Sequence, residues 1–275
     1  MQREGEPEHE RGWRWGRPLL MSLCGLGVAL AVARLLGLRV PAALLVLVGL
    51  AIVGTVGAGV ALLPSGIFVR PLLAASFAGA RGRFAITFDD GPHPVHTRRV
   101  LDLLEARGHR ATFFVIGAHA EKNLALVTEI ARRGHAVANH SYAHARTGPL
   151  LSAATLAADL ARATEVIRKA TGSASRWFRP PIGIVSPPVV EAARRAGLEI
   201  VGWSASGRDG TAGATVESAL ARLRAGLRPG AILVLHDAAE RADREPIAAA
   251  VLPALLDEAE ARGLRSVTLD ELFAT

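Results

Sequence analysis

The chain has a single cysteine, Cys24, so no disulfide can form within it, and the cysteine count says nothing about redox compartment. Aromatics are also scarce, at 5% against an apolar fraction of 50%, so burial must rest mainly on Ala, Leu and Val. Lysine is nearly absent: of 32 basic residues only Lys122 and Lys169 are lysines. No basic stripe with interleaved aromatics occurs, which removes nucleic acid from the expected partners, and nothing in the sequence signals a protein partner. No short internal repeat or low-complexity segment is visible outside one apolar region. The net charge of +7 is spread thinly, with 25 basic against 21 acidic residues over 81–275.

Charge is missing almost entirely from 18 to 64, where only Arg34 and Arg39 occur. Residues 19–38 are about long enough to span a bilayer as a helix, and 40–63 comfortably so. The pattern predicts a polar segment over 1–17, a membrane anchor of two transmembrane helices over 18–64 and a linker over 65–82. On that reading the protein is a multi-pass protein of the cell membrane. The first run also has the Arg-rich start and Ala31-Val32-Ala33 site of a signal peptide, and it reads as a span or as a cleaved signal. Arginines 11, 14, 17, 70, 81 and 83 outside the runs outnumber the two between them, which favours both ends in the cytoplasm. The side of the following domain stays open.

From Arg83 onward short apolar runs alternate with amphipathic segments. The pattern predicts strands over 85–88, 111–116, 136–138, 177–179, 199–203, 231–237 and 266–269. Helices are predicted over 97–107, 123–133, 152–171, 188–196, 215–225 and 247–262, with Gly108 and Gly134 closing the first two. About seven βα repeats in some 190 residues fit an α/β chain folded as a small parallel barrel.

In such a barrel the residues that follow the strands converge on one face. Asp89 and Asp90 follow the first strand, His140 and His144 the third, Arg179 the fourth, Asp209 the fifth, and His236 with Asp237 the sixth. His140 and His144 can present both imidazoles to one point if the segment turns tightly. With one carboxylate they make a two-histidine, one-carboxylate set that leaves coordination positions open. Zinc is the default ion for that set, and manganese, cobalt or iron also fit it. A second carboxylate beside the ion can act as base, and a histidine opposite can protonate a leaving group. Asp89, Asp90 and His236 are the candidates for these parts, which together make metal-assisted hydrolysis of an amide or ester.

Thr87-Phe88-Asp89-Asp90-Gly91-Pro92, His140-Ser141-x-x-His144, Arg179-Pro180-Pro181-x-Gly183 and Leu235-His236-Asp237 resemble, in this order, the motifs of the polysaccharide deacetylases. This is carbohydrate esterase family 4, the NodB-homology domain, and the resemblance covers about 83–272. It implies a distorted (β/α) barrel that removes N- or O-acetyl groups from sugars with a divalent metal. It further implies that Asp89 is the base, Asp90 a metal ligand with His140 and His144, and His236 the general acid. Arg179 would hold the base, and Asp209 would orient and tune His236. The family usually carries an aromatic where this chain has Ile182, and an Asp and a Trp are common where it has Ser206 and Gly210. These departures bear on the sugar groove. His93, His96, His109 and His135 read as surface or supporting groups.

The expected substrate is an N-acylated sugar of an envelope polysaccharide or a lipid-linked saccharide at the membrane. No separate carbohydrate-binding module is visible, so capture falls to the barrel loops or the membrane. Two other readings stand beside this one. An inactive sugar-binding protein of the same fold should have lost one of the key residues, and none is lost. A retaining glycosidase needs two carboxylates about 5 Å apart and no metal, against which the paired histidines argue.

Overall fold

The computed structural model describes residues 13–61, 80–238 and 245–274. The first twelve residues of the expected polar segment, and 65–79 of the expected linker, lie outside the described residues.

The apolar region forms two helices, α1 (Trp13–Leu35) and α2 (Ala42–Ala61), which meet where Gly27 faces Val48. The two expected transmembrane spans are corrected here: among the described residues no helix is long and apolar enough to cross a membrane. α1 takes in Arg14 and Arg17 near its start and Arg34 near its end, so its uncharged stretch covers about 24 Å at ~1.5 Å per residue, short of a hydrocarbon core of about 30 Å. The multi-pass cell-membrane placement, which rested on two spans, falls with them.

The rest is a parallel sheet wrapped by helices. The strands are β1 (Arg83–Asp89), β2 (Ala111–Val115), β3 (Ala136–Asn139), β4 (Trp177–Phe178), β5 (Glu199–Ile200), β6 (Ala205–Ser206), β7 (Ile232–His236) and β8 (Arg265–Ser266). Their order is β5-β4-β3-β2-β1-β7-β6, every pairing is parallel, and β8 pairs with Arg83 and Phe84 ahead of β2. β5 and β6 are the two ends of this order, yet only 201–204 separate them in sequence. Val201 N–H reaches Phe178 O on one edge and Ser204 N–H reaches Ile232 O on the other. The sheet therefore curls into a barrel that, among the described residues, is not closed by β5–β6 pairing. This is the distorted barrel of about seven strands that the sequence predicts.

The pleat of β1 sorts its side chains. Phe84, Ile86 and Phe88 face the helices, where they pack with Leu101, Leu104 and Leu255. Ala85, Thr87 and Asp89 alternate with them and face the barrel interior, which also holds Phe114 and Trp177. The helices are α3 (His96–Ala106), α4 (Gly117–Lys122), α5 (Leu124–Arg132), α6 (Ala153–Thr171), α7 (Pro187–Arg195), α8 (Val216–Gly226), α9 (Ala248–Ala261) and α10 (Leu269–Leu272). Gly108 and Gly134 end their helices in the left-handed region, at φ 65° and 81°. α4 is an addition to the predicted pattern, and the last predicted strand is cut to two residues. Thr268 caps α10 in a capping box with Glu271, which turns the chain helical where a strand is expected.

His109 and His135 are neither surface nor site groups. Both are buried next to the first residues of strands: His135 Nδ1 accepts Ala111 N–H, and His109 Nδ1 accepts Ser266 N–H. Burial holds the His135 imidazole neutral, its pKa pushed down to about 4.

Candidate active site

The strand ends converge because the register aligns them. Asp89 lies beside His236 of β7 and Phe114 of β2, and Val115 beside Asn139, which lies beside Phe178. One step past these partners come Asp90, Asp237, His140 and Arg179. Asp90 sits at φ 73° just past the end of β1, and the Gly91–Pro92 bond after it is cis.

Asp90 meets two imidazoles there. His140 Nε2 lies 3.4 Å and His144 Nε2 3.1 Å from its Oδ1. The tight turn that this pairing needs is present, with Ser141 and His144 left-handed at φ 64° and 49°. Asn139 Oδ1 accepts Ser141 N–H, and Ser141 Oγ accepts His144 N–H. Asp159 of α6 receives Tyr142 N–H and Ala143 N–H, tying the loop crest down. Burial opposes ionisation of Asp90, but the hydrogen bonds and charges of His140 and His144 outweigh it and hold the carboxyl far below the usual range.

One carboxylate oxygen and two imidazole nitrogens, all within 4.8 Å of one another, can hold a metal ion. The His140 tautomer fits that use. Its Nδ1 lies 2.7 Å from Arg179 O, and because a carbonyl can only accept, Nδ1 carries the proton. That leaves Nε2, on the Asp90 side, as the ring nitrogen able to give a lone pair to an ion, the usual arrangement of a metal-binding histidine with an oriented second nitrogen.

Asp89 points the other way, into the barrel, where Arg179 holds it. The guanidinium, fully buried, donates from one terminal nitrogen to Asp89 Oδ1 and Thr87 Oγ1, both at 2.7 Å. It donates from the other to Gly202 O at 2.8 Å, and it stacks 4.1 Å from the Phe114 ring. Burial pulls its pKa down against the pull of Asp89, but a guanidinium stays charged at any ordinary pH.

Across β1, His236 is fixed by Asp209, whose carboxylate receives both the ring Nδ1–H and the backbone N–H of His236. Burial disfavours the imidazolium, yet Asp209, with Asp89 and Asp90 behind it, pushes the His236 pKa up to about 10. Asp89, Asp90, His140, His144, Asp209 and His236 line one cavity of about 680 Å³, with Ile182 and Trp203 on its wall. Ile182 is half exposed and sits at φ 51°, which a β-branched residue rarely adopts. All seven sequence-predicted site residues thus come to one end of the barrel, Arg179 from beneath the cavity floor.

Three supporting residues are not assigned by sequence reasoning. His119 Nδ1–H donates to Asp90 O at 3.0 Å and so pins the backbone of that residue. Asp237, buried beneath the Gly91 turn, accepts Thr97 O–H, and burial pushes its pKa up to about 7. A Cβ on Gly91 would lie 2.5 Å from Asp237 Oδ2, so the turn has room only for glycine. Asp237 is visible in the sequence as the residue after His236, but its partner lies 140 residues away.

A family model described as polysaccharide deacetylase matches residues 78–201. A chitooligosaccharide deacetylase from Sinorhizobium fredii is 40% identical over 156 residues, which are 55% of this chain and 70% of that protein. A peptidoglycan-N-acetylglucosamine deacetylase from Bacillus cereus is 36% identical over 191 residues, 69% of this chain and 87% of that one. Among solved structures, a family 4 acetyl xylan esterase from Clostridium thermocellum, in complex with a cobalt ion, superposes with a TM-score of 0.63 at 31% identity. The match covers 70% of this chain and 90% of that one. At such identity, over so much of each relative, shared descent accounts for the likeness, and this chain belongs to the polysaccharide deacetylases of carbohydrate esterase family 4, a family of metal-dependent carbohydrate deacetylases.

Proposed function

We propose that the protein removes the acetyl group from N-acetylglucosamine residues of a cell-envelope glycan. Asp90, His140 and His144 hold a divalent ion, zinc by the chemistry of the donor set. When bound, that ion supplies a Lewis acid that polarises the amide carbonyl and acidifies an adjacent water. Asp89, held in place by Arg179, takes the proton from the attacking water. The N–H of Ile182, at the cavity wall, donates to the oxygen on which negative charge develops. His236, kept protonated and aimed by Asp209, gives its proton to the departing amine nitrogen, so acetate and a free amino sugar leave.

The observation that carries this reading is the division of the two adjacent carboxylates. Asp90 faces two imidazoles and Asp89 a buried guanidinium, so neighbouring residues have separate partners and can have separate tasks. The test is acetate release from N-acetylglucosamine oligomers by the full chain, after chelation and after addition of zinc. Chelator-sensitive release that zinc restores is expected. Release that chelation leaves untouched would sink the metal-dependent mechanism.

A further inference from the structure

The residues of the candidate metal set come from two loops, one after β1 and one after β3, and a single short stretch of chain holds both. It runs from Ile116, just past β2, into the first turn of α4. Its donors go to carbonyl groups of the two loops. Ile116 N–H donates to Gly91 O at 2.9 Å, Gly117 N–H to Ser141 O at 2.9 Å, and Ala118 N–H to Tyr142 O at 3.0 Å. The fourth donor is a side chain, His119 Nδ1–H, which reaches Asp90 O at 3.0 Å. Consecutive residues thus hold two consecutive carbonyls of the Asp90 loop and two of the loop that carries His140 and His144.

The stretch is itself held close and firm. A Cβ on Gly117 would lie 2.7 Å from Tyr142 Cδ2 and 3.0 Å from Tyr142 Cα, so glycine is what lets α4 come this near the loop. Ala120 N–H donates to Ile116 O, and Asn123 Nδ2–H to His119 O at 2.9 Å. Three of the four bonds to the loops come from the main chain and form whatever the side chain is. The bond to Asp90 O depends on what stands at 119. His119 is exposed, so the core does not need its imidazole, and it lies outside the lining of the reaction cavity among the described residues.

What that imidazole holds is the backbone of a special residue. Asp90 is left-handed at φ 73°, a conformation that a residue other than glycine keeps only when its surroundings enforce it. Its carboxylate lies within 3.4 Å of both metal-site imidazoles. An aspartate side chain is short, so drift of its backbone carries the carboxylate with it.

We propose that His119 is a positioning residue for the metal site: by holding the Asp90 carbonyl it keeps the carboxylate against His140 and His144, and so sets how tightly the ion is bound. The inference rests on the metal-site reading above and adds to it a residue outside the candidate ligand set. Loss of such an outer partner typically weakens metal binding by about 10- to 100-fold. The exposure of His119 puts the expected effect at the lower end.

The test measures the zinc Kd of the full chain by competition with a chromogenic chelator, which needs no turnover. His119→Ala should raise Kd about tenfold. His119→Asn can place an amide N–H where Nδ1–H stands and should stay within about twofold of the parent. His119→Gln carries its N–H one atom further out and should resemble the alanine variant. Thermal melts of the metal-free proteins should coincide, because the ring is exposed. Acetate release by His119→Ala should recover as free zinc is raised. An unchanged Kd in His119→Ala would overturn the inference. So would an asparagine variant as weak as the alanine one, because the ring and not its Nδ1–H would then matter, and so would metal-free melting temperatures that fall in step with affinity. Zinc affinity that follows the donor at 119, without acetate release by any of the proteins, would keep this inference and sink the deacetylase reading.

Discussion

Asp209 holds His236 at two points, with one carboxylate oxygen 2.9 Å from the ring Nδ1 and the other 2.7 Å from the backbone nitrogen of the same residue. The double grip fixes where the imidazole points as well as which nitrogen carries a proton, and it leaves Nε2 toward the cavity. A general acid needs both properties.

Replacing that carboxylate with an amide separates them. Asp209→Asn keeps an acceptor for the ring and removes the charge. The His236 pKa, pushed up to about 10 in the parent, should fall by about 1–3 units. The alkaline limb of the kcat/KM profile should move to lower pH by a similar amount, with kcat reduced on the order of 10²-fold. The linked stability has a definite sign. The folded pKa lies above the unfolded one, so the contribution of His236 is complete below pH 6.5 and is lost as pH rises through about 10. An unchanged alkaline limb in Asp209→Asn would remove His236 from the acid role.

The adjacent aspartates should part company in a metal assay. Asp90→Ala removes the only carboxylate of the candidate metal set and should abolish both zinc binding and acetate release. Asp89→Asn should abolish release and keep zinc at near-stoichiometric content, because Asp89 faces Arg179. Elemental analysis of the purified variants decides it. Zinc lost from Asp89→Asn would mean that the two residues share the ion.

Much of this is legible in the sequence, and the failures have physical reasons. Strands and helices follow from period-2 and period-3.6 patterns, and the site residues from their positions just after strands. Contacts made across long stretches of chain leave no such trace. Arg179 and Asp89 are 90 residues apart, and only the closing of the barrel brings them to 2.7 Å. Thr97 and Asp237 escape for the same reason. The capping box Thr268-x-x-Glu271 is written in the sequence, yet the apolar run around it reads as a strand. The first long apolar run fails differently: its length is plain, but α1 starts at Trp13, inside the polar segment, and so takes in Arg14 and Arg17 as well as Arg34.

The Arg179–Asp89 pair should respond as a unit. Arg179→Met leaves Asp89 buried and uncompensated, which should cost about 3–5 kcal/mol of stability. Asp89→Asn is milder, since Arg179 keeps Thr87 Oγ1 and Gly202 O as acceptors. The double variant removes both charges and should be more stable than Arg179→Met alone. Urea melts of the three variants give the coupling directly, and strictly additive losses would show that the pair is not one electrostatic unit.

Asp237 should make the metal-free protein less stable as the solution becomes alkaline. Its carboxyl is buried under the Gly91 turn and its pKa is pushed up to about 7, so the folded state favours the neutral acid. The sign follows from comparing proton uptake. Between an unfolded pKa near 3.9 and about 7, the folded chain binds the extra proton, so rising pH costs stability, on the order of 4 kcal/mol by the time both states are ionised. Asp237→Asn keeps an acceptor for Thr97 O–H and carries no charge at any pH. Its stability between pH 5 and 8 should therefore be flatter than that of the parent, with the variant overtaking at the alkaline end. Thermal melts of both proteins across that range measure this, and parallel curves would show that Asp237 is ionised in the folded protein throughout. In that case a cation-binding partner, and not burial, would have to account for its place beneath the turn.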